Sequence, residues 1–333
     1  MKPIIKTAFK ILLLFGILQS VFWGIGYLYP LTIHTNLPQE LGYKYINRVT
    51  SNKLVNFSNR ILVIGDSSAA TAIHTKELGD DVMTLGVWGS SPAELYLYTK
   101  AYLTKYNAPK CILLTHVLSP DYYQDHSFWE LVVPYSNISL EDYLKIYDKS
   151  KELNHFPGNA YNKFTFIFKI LTTKYHLFFA TPFIYLEKLK FKNKDQDVIA
   201  KIDKFFQITR GEYVRLVHGS DARGDWWDFL ANPMPQNNYY EYYFNLIMQE
   251  AQKHNIKIYF FTPPVSKKLN FLYSDRMNQL SAFYQTQATK YPHAKFLDIK
   301  QFYPIGHYID DAHLNYYGAH KFTQKIAPEL DCQ

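Results

Sequence analysis

The sequence predicts an α/β fold: a three-layer α/β/α sandwich with a parallel five-stranded sheet, preceded by one N-terminal transmembrane helix. Three observations carry this. Short apolar runs rich in β-branched and aromatic residues alternate with helical patterns, the signature of βαβ units. One run, Ile61-Leu62-Val63-Ile64, is apolar without interruption and ends in Gly65-Asp66-Ser67-Ser68, as expected of a strand covered on both faces that turns sharply into a helix. Near the start, Ile11 to Tyr29 is apolar except for Gln19 and Ser20, long enough as a helix to cross about 30 Å of hydrocarbon.

Taken in order, residues 1–30 read as an uncleaved signal anchor. Lys2, Lys6 and Lys10 precede the apolar run, and Trp23, Tyr27 and Tyr29 sit at its far end. That asymmetry predicts a cytoplasmic N-terminus, with the rest of the chain outside the cytoplasm. No small-residue cleavage site follows the run. Residues 31–59 are polar and poor in periodicity, and read as a linker. The remainder, 60–333, reads as one domain with a helical, aromatic-rich insertion at about 120–236.

Within that domain the first strand is followed by a helix start at Ala69-Ala70-Thr71-Ala72-Ile73. Asp81 to Leu85 reads as the second strand and Pro92 to Tyr106 as an amphipathic helix with Leu95, Tyr96, Tyr98, Tyr102 and Leu103 inward. Cys111 to Thr115 is the third strand. A helix from Asn238 to Asn255 leads to the fourth, Ile256 to Thr262, and a helix from Asp275 to Tyr291 leads to a short fifth, Phe296 to Ile299. The connection from Pro120 to Gln236 is far longer than usual. It holds helical patterns at Leu140 to Leu153 and Tyr161 to Leu189. The second is apolar enough to need a covering surface: the core, or a membrane or partner. Gly219 to Trp227 is a polar loop with paired tryptophans, open to reading as a sugar platform or as buried packing.

Two stretches carry chemistry. Gly65-Asp66-Ser67 offers Ser67 at the carboxyl end of a strand, the edge where open α/β sheets bind ligands; alternatively, Ser67 or Ser68 merely caps a helix. Late in the chain, Asp310-Asp311-Ala312-His313-Leu314 places Asp310 and His313 three residues apart, the separation of neighbours on one helical turn. A carboxylate can then orient an imidazole whose other nitrogen faces outward. If the two chain ends meet, Ser67, His313 and Asp310 form a nucleophile, base and orienter. Asp311 is the rival to Asp310.

Gly-Asp-Ser after the first strand, together with a late Asp-x-x-His-Leu, resembles the SGNH (GDSL-type) hydrolase superfamily. The resemblance implies Ser67 as nucleophile and Asp310 and His313 as its partners. Leu85-Gly86-Val87-Trp88-Gly89 resembles the second block, which implies Gly89 as a backbone oxyanion donor. The third block, Gly-x-Asn-Asp, is absent. In its place the third strand runs into His116-Val117-Leu118-Ser119-Pro120-Asp121-Tyr122-Tyr123. His116 or Ser119 could replace the missing donor, while His116 also reads as an ordinary strand-end histidine. Ser-Pro-Asp-Tyr-Tyr with an N-terminal anchor looks like a membrane-anchored branch. That branch includes the teichoic acid D-alanine-transfer protein and envelope polysaccharide O-acetylation proteins.

Composition narrows the partners. The formal charge is +7 over 333 residues, but the three N-terminal lysines supply three of it and no acidic residue lies in the first thirty, which leaves +4 elsewhere. There is no concentrated Lys/Arg stripe, so nucleic acid is not an expected partner. Cys111 and Cys332 are the two cysteines, one in a strand pattern and one at the C-terminus, and are not expected to pair. His74, His307 and His320 are scattered; no Cys/His cluster has metal-ligand spacing and no dinucleotide or P-loop fingerprint occurs, so no metal or cofactor is expected. The function expected is a serine acyltransferase or esterase acting on acetyl or D-alanyl type esters of a cell-envelope glycan at the cytoplasmic membrane. A multispanning membrane O-acyltransferase is the candidate protein partner. The alternatives are a lipase-like or small-ester hydrolase and a non-catalytic partner of such an acyltransferase.

Overall fold

The computed structural model describes residues 2–28, 37–51, 60–117, 127–174, 200–201, 204–206, 208–209, 211–212, 238–299, 302–310 and 312–332. Five parallel strands, β1 (Ile61–Gly65), β2 (Val82–Thr84), β3 (Cys111–Thr115), β4 (Lys257–Phe261) and β5 (Ala294–Leu297), form one sheet in the order β2-β1-β3-β4-β5. The register pairs Ile61 with Val82 and Cys111, Cys111 with Lys257, and Ile258 with Ala294. The expected fifth strand, Phe296 to Ile299, is corrected by two residues. Pairing with β4 starts at Ala294 and Lys295, which are too short and too polar a beginning to stand out in sequence.

Because side chains alternate across a strand, the sheet builds two cores. Leu62, Ile64, Ile112, Leu114, Ile258 and Phe260 face one layer; Ile61, Val63, Leu113, Tyr259 and Phe261 face the other. The first layer holds α2 (Leu37–Thr50), α5 (Pro92–Lys105), α6 (Leu140–Glu152), α7 (163–174), α8 (Asn238–Lys253) and α10 (Ser274–Lys290), the last preceded by α9 (Lys267–Leu272). The second holds α3 (Ser67–Ala72), α4 (Thr75–Leu78) and α11 (Tyr316–Ile326). Helices on both faces of a parallel sheet are what doubly covered strands require.

Two expectations change here, and the described part of the insertion takes one of its two readings. The stretch read as an irregular linker contains α2, whose Tyr43, Ile46 and Val49 are buried in the first core. Their i, i+3, i+6 spacing makes a helical face that the polar residues between them disguise. Cys111 and Cys332 form a disulfide with a Cα–Cα distance of 5.6 Å. The C-terminal tail lies along the start of β4, where Lys257 pairs with Asp331 and the Asp331 N–H donates to Tyr259 Oη at 2.9 Å. A separation of 221 residues along the chain says nothing of that proximity. The described part of the insertion joins the first core through Phe128, Trp129, Tyr143, Phe156, Phe166 and Ile170, while Phe164, Phe168 and Leu171 of α7 stay exposed. The rest of the insertion, with Gly219 to Trp227, lies outside the described residues.

Residues Lys2–Leu28 form α1. Its apolar side chains from Ile5 to Val21 are exposed. Among the described residues no helix is long and apolar enough to cross a membrane; the expected span from Ile11 to Tyr29 extends past those whose side chains are described.

Candidate active site

The turn after β1 presents Ser67. Gly65 has φ +152°, and a Cβ there would lie 1.9 Å from the Thr115 carbonyl oxygen, so β1 and β3 approach this closely only with glycine. Asp66, not either serine, caps α3: its Oδ1 accepts the Ser68 N–H at 2.9 Å, and its Oδ2 accepts the Val117 N–H at 2.8 Å. The carboxylate therefore ties the β1 turn to the end of β3. It leaves the Ser67 hydroxyl uncommitted to capping.

That hydroxyl meets His313. Ser67 Oγ is 2.8 Å from His313 Nε2, and His313 Nδ1 is 2.7 Å from Asp310 Oδ2. An ionised carboxylate only accepts, so Nδ1 carries the proton and Nε2 is free to accept from Ser67. Asp310 Oδ1 also accepts the Ala312 and His313 backbone N–H groups, each at 2.9 Å. Burial pushes the Asp310 carboxyl up, but the electrostatic pull of the adjoining His313 ring and these three hydrogen bonds outweigh it and hold the group below the usual aspartate value.

Asp310 and His313 do not share a helical turn as the spacing predicts. They sit in a loop closed by an antiparallel bridge between Tyr308 and Leu314, with the Ile309 N–H donating to the His313 carbonyl at 2.7 Å. Asn315 then caps α11 by accepting the Gly318 N–H. The two chain ends are joined where the His74 N–H donates to Thr323 Oγ1 at 2.8 Å, linking the end of α3 to α11 across 249 residues. Asp311 lies outside the described residues.

Gly89 stands in the turn after β2 with φ +70°, and a Cβ there would come within 2.6 Å of Ser127 Cβ. Its neighbour Trp88 stacks on His313, ring centroids 5.2 Å apart and 23° from parallel, which brings this turn to the triad. His116 is 1 % exposed; its Nε2 donates to the Ser90 carbonyl at 2.6 Å and its Nδ1 is 3.8 Å from Asp66 Oδ2. With Nε2 so committed, the ring braces the turn after β1 against the Gly89-Ser90 turn, which fits the reading of His116 as a strand-end packing histidine rather than as an oxyanion donor. Tyr284 Oη lies 2.6 Å from both the N and the O of His116, pinning the same junction from α10. Ser119 lies outside the described residues.

Sequence reasoning brought Ser67, Asp310, His313 and Gly89 forward and missed the roles of Asp66, Trp88 and Tyr284. The first two stand inside the quoted motifs, so position alone could have flagged them. Tyr284 is one aromatic of a helix face and carries no local signal.

No model of a known protein family matches the chain, and no curated protein matches it. Among solved structures, one from Streptococcus pneumonia described as a "putative platelet activating factor" aligns over 87% of this chain and 92% of that chain, at 13% identity and a TM-score of 0.42. Similarity at that level carries no functional argument. The chemistry rests on the residues themselves.

Proposed function

We propose that this protein is a serine acyltransferase or esterase of the SGNH (GDSL-type) kind, anchored in the cytoplasmic membrane by Ile11 to Tyr29. Its substrates are acetyl or D-alanyl type esters of a cell-envelope glycan outside the cytoplasm. The observation that carries the chemistry is the continuous chain from Ser67 Oγ through His313 to Asp310 at 2.8 and 2.7 Å. His313 Nε2 takes the hydroxyl proton as Ser67 Oγ bonds to the ester carbonyl carbon. The tetrahedral adduct then collapses, the alcohol leaves with that proton, and the acyl group stays on Ser67. A second hydroxyl, from water or an acceptor sugar, repeats the sequence and frees the serine. The backbone N–H groups of Ser67 and Gly89 are the candidate donors to the oxyanion, each worth about 3–4 kcal/mol when well placed.

Two features support the location. A disulfide between Cys111 and Cys332 suits an oxidising compartment, and three lysines ahead of the apolar run suit a cytoplasmic N-terminus. A multispanning membrane O-acyltransferase fits as the source of acyl groups. The test of the chemistry is labelling of the full chain with a serine-directed fluorophosphonate. Ser67 should carry the label and Ser67→Ala should take none; equal labelling of the two overturns the assignment.

A further inference from the structure

Beside the triad, at the carboxyl ends of β4 and β5, lies a cleft of about 260 Å³ that the acyl-transfer chemistry leaves unused. We infer that it is a subsite for a neutral sugar ring, holding the glycan while an ester on a neighbouring ring is at Ser67. This rests on the glycan reading above and gives it a place on the surface.

Val265 lines the cleft, and its carbonyl accepts the Tyr308 hydroxyl at 2.7 Å. Tyr308 is one side of the bridge that closes the loop bearing Asp310 and His313. The cleft and the catalytic loop thus share a wall. In the strand order, β4 is two strands from β1, about 10 Å at the usual spacing. A glycan two or three rings long spans that distance.

The lining chemistry selects the ligand. Asn270, Ser274, Asn278 and Asp298 line the cleft, and their side-chain polar groups have no protein partner among the described residues. The amides of Asn270 and Asn278 and the Ser274 hydroxyl both donate and accept, and the Asp298 carboxylate accepts, which matches ring hydroxyls that can do either. Met277 and Phe302 add apolar surface for the C–H faces of a ring. None of the described lining residues is cationic, whereas phosphate and carboxylate ligands are held by Arg or Lys. The volume is slightly below the about 300–1,000 Å³ of sites for larger ligands, so one ring fits rather than several.

The test reads binding without turnover, on the full-length Ser67→Ala chain in a zwitterionic detergent free of sugar. Glucose, galactose and N-acetylglucosamine are offered separately in saturation-transfer NMR, with and without inorganic phosphate. At least one should receive saturation at its ring protons, phosphate should not displace it, and Asn278→Ala with Asp298→Ala should reduce the signal at least fivefold at an unchanged melting midpoint. If that double variant does not fold, Asn278→Tyr, which fills the mouth from an exposed position, must give the same loss. No saturation from any of the three sugars, a signal indifferent to these variants, or displacement by phosphate overturns the inference. Failure of Ser67 to label in the wild type would instead overturn the enzyme reading, so the two failures are distinct.

Discussion

Glu94 should make this protein lose stability as the pH rises towards neutrality. The carboxyl is 1 % exposed. Its Oε2 accepts the Ser91 N–H at 2.6 Å in a capping box that starts α5, directly after the Gly89-Ser90 turn. Its Oε1 has no hydrogen-bond partner among the described residues. Burial raises the group from 4.5 to about 7, against the smaller lowering by its hydrogen bonds with Ser91. The folded protein therefore keeps a proton that the unfolded chain releases near 4.5. Its stability is fully present below about pH 4.5 and declines until the pH passes about 7. A gap of about 2.5 at 1.36 kcal/mol for each pH unit amounts to about 3 kcal/mol. Glu94→Gln keeps an acceptor for the Ser91 N–H and does not titrate. Denaturant unfolding followed by circular dichroism from pH 4.5 to 8 should show the wild type losing about 3 kcal/mol more than Glu94→Gln. Glu212, also raised to about 7 by burial, contributes equally to both and cancels in the difference. Parallel curves for the two proteins would refute the reasoning.

Ser67→Ala and His313→Ala should each abolish nitrophenyl ester turnover, with the double variant no worse, because the pair acts as a unit. Asp310→Asn should lower kcat by about 10⁴, since the His313 Nδ1–H loses its carboxylate acceptor; turnover near the wild-type rate in any of these rejects the triad. Gly89→Ala forces a Cβ within 2.7 Å of Ser127 Oγ at a φ of +70° and should cost about 10² or more in kcat by moving an oxyanion donor, so a wild-type rate would clear Gly89 of that role. Cys332→Ser opens a cross-link between residues 221 apart and should lower unfolding stability by about 2–4 kcal/mol. Thiol titration should find Cys111 newly free, and an unchanged denaturant midpoint would count against the bond.

Five parallel strands and the place of Ser67 at the end of the first were legible in the residues alone, although the bounds of the short β5 were not. Doubly covered strands are written as continuous apolar runs, so β3 is legible to the residue, Cys111–Thr115, and β1 to within its last residue, Gly65. The nucleophile turn is equally local: a glycine without a Cβ, then an aspartate and a serine. Asp310 and His313 are near neighbours in the chain, and their pairing needed only short-range geometry, although the loop that holds them is not the helix their spacing suggests. Tertiary structure alone decided what depends on distant segments meeting. Asp66 rather than a serine became the cap because the end of β3 supplies Val117 as a second donor. His116 became a brace between two turns because the Ser90 carbonyl, 26 residues earlier, takes its Nε2 proton. Cys111 met Cys332 because the C-terminal tail returns along β4, and a polar stretch became α2 because one face found a core to cover. Local conformational preference is encoded within a few residues and can be read from them. Packing partners are chosen by the free energy of the whole chain, and only the assembled fold displays that choice.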